Sequence, residues 1–323
     1  MDRDLLAHLP VVLAVARRGG FAAAAASLTM SPSAVSHAVK AVEDRLAQPL
    51  FARTTRSVAL TEAGAGFVAT IGPALATVEE GVERVRSSKG QVTGVLRLNA
   101  PRLALPLAIT PILTAMSRLH PDLTIEVTLD EGLVDIIAGG FDAGVRLGEM
   151  IAQDMVAVRL TEPFRAIMVA APAYLDARGA PSLVAELSRH NCVGYRLISS
   201  GTAYAWELQD RGRDISVSVN GTVRVTDPIY AHELALQGIG IAYLFEPLVR
   251  EDLRAGRLRR VLPETSIEEP GLFLYFPRYA SAAPKLRAFI DVARRSLRAG
   301  RSAARDEIHE PQSRHFPAGK GGR

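Results

Sequence analysis

Apolar residues recur every three or four positions through the first 46 residues, the spacing of helices with one buried face. The first such stripe consists of Leu5, Leu9, Val12, Leu13 and Ala16. Pro10 interrupts it, and an interior proline costs about 3 kcal/mol or more in a helix. We therefore expect a bend or a late start in this first helix, which ends at Gly19 and Gly20.

Two further short helices follow, joined by a tight turn. Alanine, the strongest helix former, dominates the segment from Phe21 to Leu28. The turn at residues 29–31 ends on Ser31, which can cap the next helix, and Pro32 fits its first position. The apolar positions of that next helix are Ala34, Val35, Ala38, Val39, Val42 and Leu46. Its opposite face then carries small polar groups and one cation, which suits the major groove of DNA.

A third pattern covers residues 61–89 and predicts one long helix. Its apolar stripe consists of Phe67, Ile71, Leu75, Val78, Val82 and Val85. Thr61 is a candidate cap, although Gly64 stands where a capping box would have glutamate. An isolated helix of this length needs a partner for its stripe, either another subunit or its own chain. The glycines at residues 90 and 94 predict a hinge after it.

From residue 92 to about 298, short apolar runs alternate with helix-length segments, the pattern of an α/β fold with largely parallel sheets. The predicted strands are Val95 to Ala100, Thr124 to Leu129, Ala143 to Leu147, Ala166 to Ala170, Cys192 to Tyr195, Ile239 to Leu244 and Leu272 to Phe276. The predicted helices are Leu105 to Leu119, Leu133 to Ile137, Pro228 to Gln237 and Pro284 to Leu297. Extended passages near residues 161–163 and 267–270 predict two lobes, with the chain crossing twice from one lobe to the other.

Composition narrows the classes of protein that fit. The chain has 323 residues, of which 48% are apolar, enough for several cored domains. Its net charge of +4 and pI of about 9.4 favour a polyanionic partner. Cys192 is the only cysteine, which excludes an internal disulfide and fits a reducing cytoplasm. We predict no metal, no cofactor and no membrane contact, and no catalytic motif rises above background.

The segment PSAVSHAVKAVEDRLAQPLFARTTRSVALTEAG carries a specific resemblance. From about Asp4 to Gly66 the chain resembles the winged helix-turn-helix of LysR-type transcriptional regulators. The resemblance implies a winged DNA-binding domain over residues 1–60, with its reading motif at 21–40 and a wing from Leu50 to Leu60. The implied DNA-binding residues are Ser31, Pro32, Ser33, Ser36, His37, Lys40, Arg53, Thr54, Thr55 and Arg56.

Within this set, the resemblance assigns phosphate contacts to Arg53 and Arg56, although both also fit a solvated hairpin tip. The chain departs from the family at His37, where arginine is common, and at Gly20, where serine is frequent. A neutral histidine removes a fixed charge from the groove face. Base recognition then depends more on Ser33, Ser36 and Lys40.

The resemblance also implies how the remaining domains are organised. Residues 61–89 would be the linker helix that forms a homodimer, with a homotetramer expected. Residues 92–298 would form a two-lobed effector-binding domain like a type 2 periplasmic binding protein. Lobe one would comprise residues 92–162 and 267–298, and lobe two residues 163–266. We expect residues 299–323, rich in Arg, Ser, Gly and Pro, to be a disordered tail.

Ligands of open α/β lobes bind beyond the carboxyl ends of strands, and this rule selects the candidate effector site. The candidate residues at these ends are Pro101, Arg102, Leu103, Arg146, Gly148, Tyr195, Thr202, Asp227 and Phe245. Arg102 and Arg146 could converge on a carboxylate from opposite sides of the cleft. Taken singly, each of these residues fits an ordinary surface loop equally well.

Together with these patterns, the resemblance implies a cytoplasmic transcriptional regulator that binds double-stranded operator DNA and responds to a small-molecule effector, for which a carboxylate is the candidate. Two alternatives stay open for residues 92–298. A solute-binding module would have the same lobes, and an enzyme could lack any recognisable catalytic motif.

Overall fold

The computed structural model describes residues 3–53, 58–86, 91–132, 134–151 and 155–309. The helices in these residues are α1 Arg3–Arg18, α2 Phe21–Leu28, α3 Pro32–Leu46, α4 Glu62–Arg86, α5 Thr110–Leu119, α6 Pro172–Arg178, α7 Pro228–Leu236, α8 Glu246–Arg254 and α9 Pro284–His309. The strands are β1 Phe51–Arg53, β2 Val58–Leu60, β3 Gly94–Ala100, β4 Leu123–Leu129, β5 Ala143–Leu147, β6 Met155–Arg159, β7 Phe164–Ala170, β8 Cys192–Arg196, β9 Ala203–Tyr204, β10 Trp206–Asp210, β11 Arg213–Val217, β12 Arg224–Val225, β13 Ile241–Phe245, β14 Arg259–Val261, β15 Ile267–Glu269 and β16 Leu272–Pro277.

Helices α1, α2 and α3 pack around one apolar core at the N-terminal end of the chain. Val12, Val35, Val39 and Val42 are fully buried in it. Helix α1 begins at Arg3 and continues through Pro10, so of the two alternatives, a bend or a late start, the late start is wrong. Each fully buried aliphatic side chain contributes about 1.5–3 kcal/mol, so the buried face of α1 outweighs the cost of about 3 kcal/mol of its proline.

A small antiparallel hairpin of β1 and β2 completes this N-terminal unit and pairs Phe51 with Leu60. The Glu43 carboxylate on α3 accepts hydrogen bonds from the backbone N–H groups of Leu50 and Phe51, at 2.8 and 3.2 Å. The Phe51 ring also packs edge-on against Phe21 of α2, with centroids 6.0 Å apart. The hairpin is therefore anchored to both short helices.

Helix α4 divides into two halves with different surroundings. In its first half, Val68 is buried in the N-terminal core, and Phe67, Ile71 and Leu75 pack against that core. In its second half, Val78 is 62% exposed and Val82 is 46% exposed. The apolar stripe is thus continuous along the helix, but this chain buries only its first part.

The C-terminal unit contains two mixed sheets, one in each lobe. The first has the strand order β4-β3-β5-β16-β6, and the second has β12-β8-β13-β7-β14, with β15 added to β7 and β9 to β8. Strands β3, β4 and β5 are parallel to one another, whereas β16 is antiparallel to β5 and β6. Likewise, β7 is antiparallel to β13, β14 and β15. Each sheet is therefore mixed, although most of its strands share one direction, as predicted.

The sheets are mixed because of the two strands at which the chain passes between the lobes. Strand β7 enters lobe two and β16 returns to lobe one, and each is antiparallel to the strands with which it pairs. A hydrogen bond connects the two passages: Thr161 Oγ1 accepts it from the Leu272 N–H at 2.9 Å. The return passage lies at residues 270–271, after the predicted 267, since β15 still pairs with β7.

Two helix predictions also differ from the structure. The expected helix from Leu133 to Ile137 is absent from residues 134–137, which are coil and turn, while residue 133 lies outside the described residues. Helix α9 runs to His309, so residues 299–309 are helical where we expected a disordered tail. Alanine, arginine and glutamate in this stretch favour a helix. Residues 310–323 lie outside the described residues.

Gly64 in the first turn of α4 provides a test of how the hairpin and α4 pack. A Cβ atom at this position would lie 2.0 Å from the Leu50 carbonyl oxygen, whereas one at Gly66 would meet nothing within 4 Å. We expect Gly64→Ala to lower the free energy of unfolding by about 1–3 kcal/mol through overpacking. The control Gly66→Ala should instead raise it by up to about 1 kcal/mol through helix propensity. Urea unfolding followed by circular dichroism measures both, and equal stability of the two variants would contradict this packing.

Candidate functional site

The exposed face of α3 presents the predicted polar residues together. The Ser31 hydroxyl caps the helix by accepting a hydrogen bond from the Ala34 N–H at 3.1 Å, and it lies 2.9 Å from the Ser33 hydroxyl. Pro32, Ser33, His37 and Lys40 are exposed, and Ser36 is half-buried. The opposite face of α3 is buried in the core. The predicted spacing of polar and apolar positions is therefore confirmed along this helix.

The hairpin is described only in part. Its two strands have the predicted antiparallel pairing, and the backbone of Arg53 ends β1. Thr54, Thr55 and Arg56 lie outside the described residues, as does the side chain of Arg53. The phosphate contacts assigned to these residues stay predictions.

A cavity of about 300 Å³ lies between the two lobes. Lobe one contributes Leu103, Glu131, Leu147 and Met150. Lobe two contributes Tyr195, Arg196, Leu197, Ile198, Tyr204, Glu207, Thr226, Pro228, Tyr243, Leu244, Phe245 and Glu269. Of the residues predicted for the effector site, Leu103, Tyr195 and Phe245 line this cavity. It is a largely apolar space with a few polar groups, as small-molecule sites usually are.

Arg146 does not line the cavity and is only 2% exposed. It belongs to β5, whose residues from Ala143 to Arg146 are all buried, so its guanidinium must find acceptors within the protein. Nη1 donates to the Val145 carbonyl at 2.7 Å, and Nη2 donates to Asn99 Oδ1 at 2.7 Å and to the Gly132 carbonyl. Burial lowers the pKa of the Arg146 guanidinium.

Arg102 is also engaged by the protein. Its Nε lies 3.2 Å from the Asp227 carboxylate of lobe two, so this ion pair spans the two lobes. Asp227 in addition caps α7 by accepting a hydrogen bond from the Ile229 N–H at 2.8 Å. Neither arginine lines the cavity. The predicted convergence of Arg102 and Arg146 on a bound carboxylate is therefore not what the structure presents.

Glu131 occupies the position where we expected an anionic ligand. It follows β4, and its Oε1 accepts a hydrogen bond from the Arg102 N–H at 2.7 Å, at the end of the neighbouring strand β3. Desolvation by burial raises the pKa of this carboxyl group. Sequence reasoning missed Glu131, although the carboxyl end of β4 would have pointed to it by the rule applied to the other strands.

Three aromatic residues connect the cavity to the core of lobe two. Tyr195 donates its hydroxyl to the Tyr243 carbonyl at 2.8 Å, and the Tyr243 hydroxyl donates to the Glu207 carbonyl at 2.6 Å. Burial raises the pKa of both phenols. Trp206 is fully buried and stacks on Tyr243 with centroids 5.6 Å apart. The only tryptophan of the chain thus lies one ring behind the cavity wall.

Three other residues predicted for the effector site do not line the cavity. Pro101 is buried two residues before Leu103, Gly148 lies against the Phe273 ring, and Thr202 is exposed in the loop after β8. Cys192 is buried, and burial raises the pKa of its thiol to about 12. A thiol in this state is unreactive.

Two kinds of feature that would indicate other functions are absent from the described residues. No three side chains of His, Cys, Asp or Glu are grouped there so that they could hold a metal ion. No described helix combines the length and apolar character that crossing a bilayer requires.

Both halves of the chain match known protein families. Residues 6–65 match the model described as the bacterial regulatory helix-turn-helix protein, lysR family. Residues 89–298 match the model described as the LysR substrate binding domain. Residues 66–88, which include most of α4, lie between the two matches.

Similar proteins of comparable length agree with these matches. The chain is 36% identical over 299 residues to the HTH-type transcriptional regulator YcaN of Escherichia coli strain K12, covering 93% of this chain and 96% of YcaN. It is 33% identical over 291 residues to the HTH-type transcriptional regulator PgrR of the same strain, covering 90% of this chain and 97% of PgrR.

Its fold is also similar to the structure of CrgA, a LysR-type transcriptional regulator from Neisseria meningitidis. The TM-score is 0.59 at 25% identity, over 92% of this chain and 99% of CrgA. The resemblance drawn from the sequence is therefore confirmed. The chain belongs to the LysR family of DNA-binding transcriptional regulators and, as a regulator with an effector-binding domain, is not an enzyme.

Proposed function

We propose that this regulator binds double-stranded operator DNA as a homodimer or homotetramer and that a small molecule in the interlobe cavity controls this binding. The observation that carries the proposal is the face of α3, where Ser33, Ser36, His37 and Lys40 share one side of a helix whose other side is buried. Such a helix can enter a major groove without disturbing its own packing.

The second half of α4 supports assembly from more than one chain. Val78 and Val82 continue the apolar stripe that the first half of the helix buries in the core, yet both are exposed here. Pairing with the same helix of a second copy would remove this surface from water. Packing within one chain covers the stripe as far as Leu75 and leaves Val78 and Val82 exposed.

Helix α4 also supports communication between the two functional regions. It contacts the segment Arg278–Ala282 and α9, which both belong to lobe one. Lobe one also forms one wall of the cavity. A ligand that changes the relative position of the lobes would therefore act on a unit that touches the linker helix. The ligand must favour one arrangement of the subunits over another, since equal affinity would shift nothing. A cytoplasmic location stays a prediction.

The first test is fluorescence anisotropy on DNA from upstream of the gene, compared with scrambled DNA of equal length, over a range of salt concentrations. We expect a preference of roughly a thousandfold or more and a steep loss of affinity with salt, because neutralised phosphates release counterions. Complete absence of binding at low salt would contradict the proposal.

Lys40→Ala should weaken binding to the operator more than binding to scrambled DNA. If Lys40 contacts a base edge, the loss of discrimination is about 1–3 kcal/mol, which corresponds to about 5- to 150-fold in the ratio of dissociation constants. The matched control is Arg118→Ala, which removes an exposed positive charge at the end of α5. Equal losses on both DNAs would assign Lys40 to the phosphate backbone instead.

Val82→Asp should shift the protein from oligomer to monomer in sedimentation velocity, because it places a charge in the middle of the proposed helix pair. DNA affinity should fall with it, since one chain then presents one α3 helix. Ala69→Asp serves as the control on the exposed side of the same helix. A monomer in the unchanged protein, or an unchanged oligomer in Val82→Asp, would refute this interface.

A further inference from the structure

The charged residues that line the interlobe cavity are mostly acidic. Glu131, Glu207 and Glu269 line it, and Arg196 is its only basic lining residue among the described residues. Arg196 is exposed and donates from Nε to the Gly201 carbonyl at 3.1 Å. Glu131, by contrast, is half-buried on the lobe-one side. A carboxylate ligand would meet like charges on both lobes, and like charges in a confined site repel strongly.

The protein itself already supplies the anion for the backbone donor at the end of β3. Glu131 Oε1 accepts the Arg102 N–H at 2.7 Å, so this donor is not free for a ligand. The second oxygen of Glu131 has no hydrogen-bond partner among the described residues. A carboxylate can accept several hydrogen bonds, so Glu131 presents unused acceptor capacity to the cavity.

The nearby arginines do not compensate for this. Arg102 is paired with Asp227 across the lobes, and both Nη atoms of Arg146 are bonded to protein oxygens. Loss of solvation is the main cause that raises the pKa of Glu131, and the pKa stays raised although both cations lower it. A bound cation would offset this loss with a charge-assisted hydrogen bond.

The rest of the wall suits an apolar ligand body. Leu103, Leu147 and Leu244 contribute aliphatic surface. The hydroxyl groups of Tyr195 and Tyr243 are donated to backbone carbonyls, so these residues offer mainly ring surface to the cavity. Aromatic rings accommodate both apolar groups and cations.

We infer that the effector is a small monocation with an apolar body, whose ammonium or amidinium group binds the free oxygen of Glu131. This inference rests on the proposed role of the cavity as the effector site, and it replaces the carboxylate expected from the sequence. Glu131 is then the residue that selects the charge of the ligand, and the apolar wall selects its body.

Three linear probes of six carbon atoms each separate charge from shape. These are n-hexylamine, n-hexanol and hexanoate at pH 7, titrated into the full-length protein. Fluorescence of Trp206 reports binding, because this residue stacks directly on Tyr243 of the cavity wall and is the only tryptophan. We expect hexylamine to bind at least about tenfold more tightly than hexanoate, as a charge-assisted hydrogen bond of about 1.5–3 kcal/mol implies.

Glu131→Gln removes the charge and keeps an oxygen that can accept the Arg102 N–H. It should weaken hexylamine binding by about tenfold or more while leaving hexanol within about twofold. The matched control is Glu126→Gln, which removes an exposed carboxylate of β4 that pairs with Arg97 at 2.9 Å. This control should bind all three probes as the unchanged protein does. Thermal unfolding of both variants shows whether either has lost its fold.

The outcomes separate the ligand class from the site itself. Tighter binding of hexanoate, or unchanged hexylamine affinity in Glu131→Gln, would overturn the inference while leaving the cavity as the effector site. If none of the three probes binds, both the ligand class and the proposed cavity site are wrong. Operator binding, measured on the same sample by anisotropy, is independent of either result.

Discussion

The apolar stripe of α4 is longer than the surface that one chain offers to cover it, and the organisation of the molecule depends on this mismatch. Phe67, Val68, Ile71 and Leu75 complete the core beneath α3 and the hairpin. The same stripe continues through Val78 and Val82 into solvent. One helix therefore holds the DNA-binding unit rigidly at one end and offers an unsatisfied apolar seam at the other. Exposed apolar surface of this kind favours association.

Close backbone contacts hold the N-terminal unit to this helix. Gly64 lets the first turn of α4 approach the Leu50 carbonyl, while Thr61 caps the helix by accepting the Gly64 N–H at 3.0 Å. Glu43 of α3 binds the backbone on the other side of Leu50. The position of the hairpin relative to α3 is thus set by backbone contacts and hydrogen bonds, which leaves the outer face of α3 free for polar side chains.

In the C-terminal unit, burial of charge decides what the cavity can bind. Arg146 lies in a covered central strand, and its guanidinium is bonded to protein oxygens because a buried charge without partners is costly. Glu131 satisfies a backbone donor of the neighbouring strand and still faces the cavity. The Arg102–Asp227 pair joins the lobes beside it. Glu131 therefore keeps a carboxylate oxygen that can bind a ligand, although the whole chain is basic.

Local patterns in the sequence determined the helix-turn-helix, the Ser31 cap, the polar face of α3, the linker helix, most strands of the lobes and the family. These features depend on periodicity and on contacts a few residues apart, which a single sequence displays directly. Tertiary structure alone decided the antiparallel strands, the burial of Arg146 and the role of Glu131. Each of these depends on which distant segments become neighbours: Glu131 meets the Arg102 N–H only because β4 pairs with β3. Strand ends can be predicted from sequence, but whether a charged side chain there faces a ligand or a protein partner depends on the packing around it.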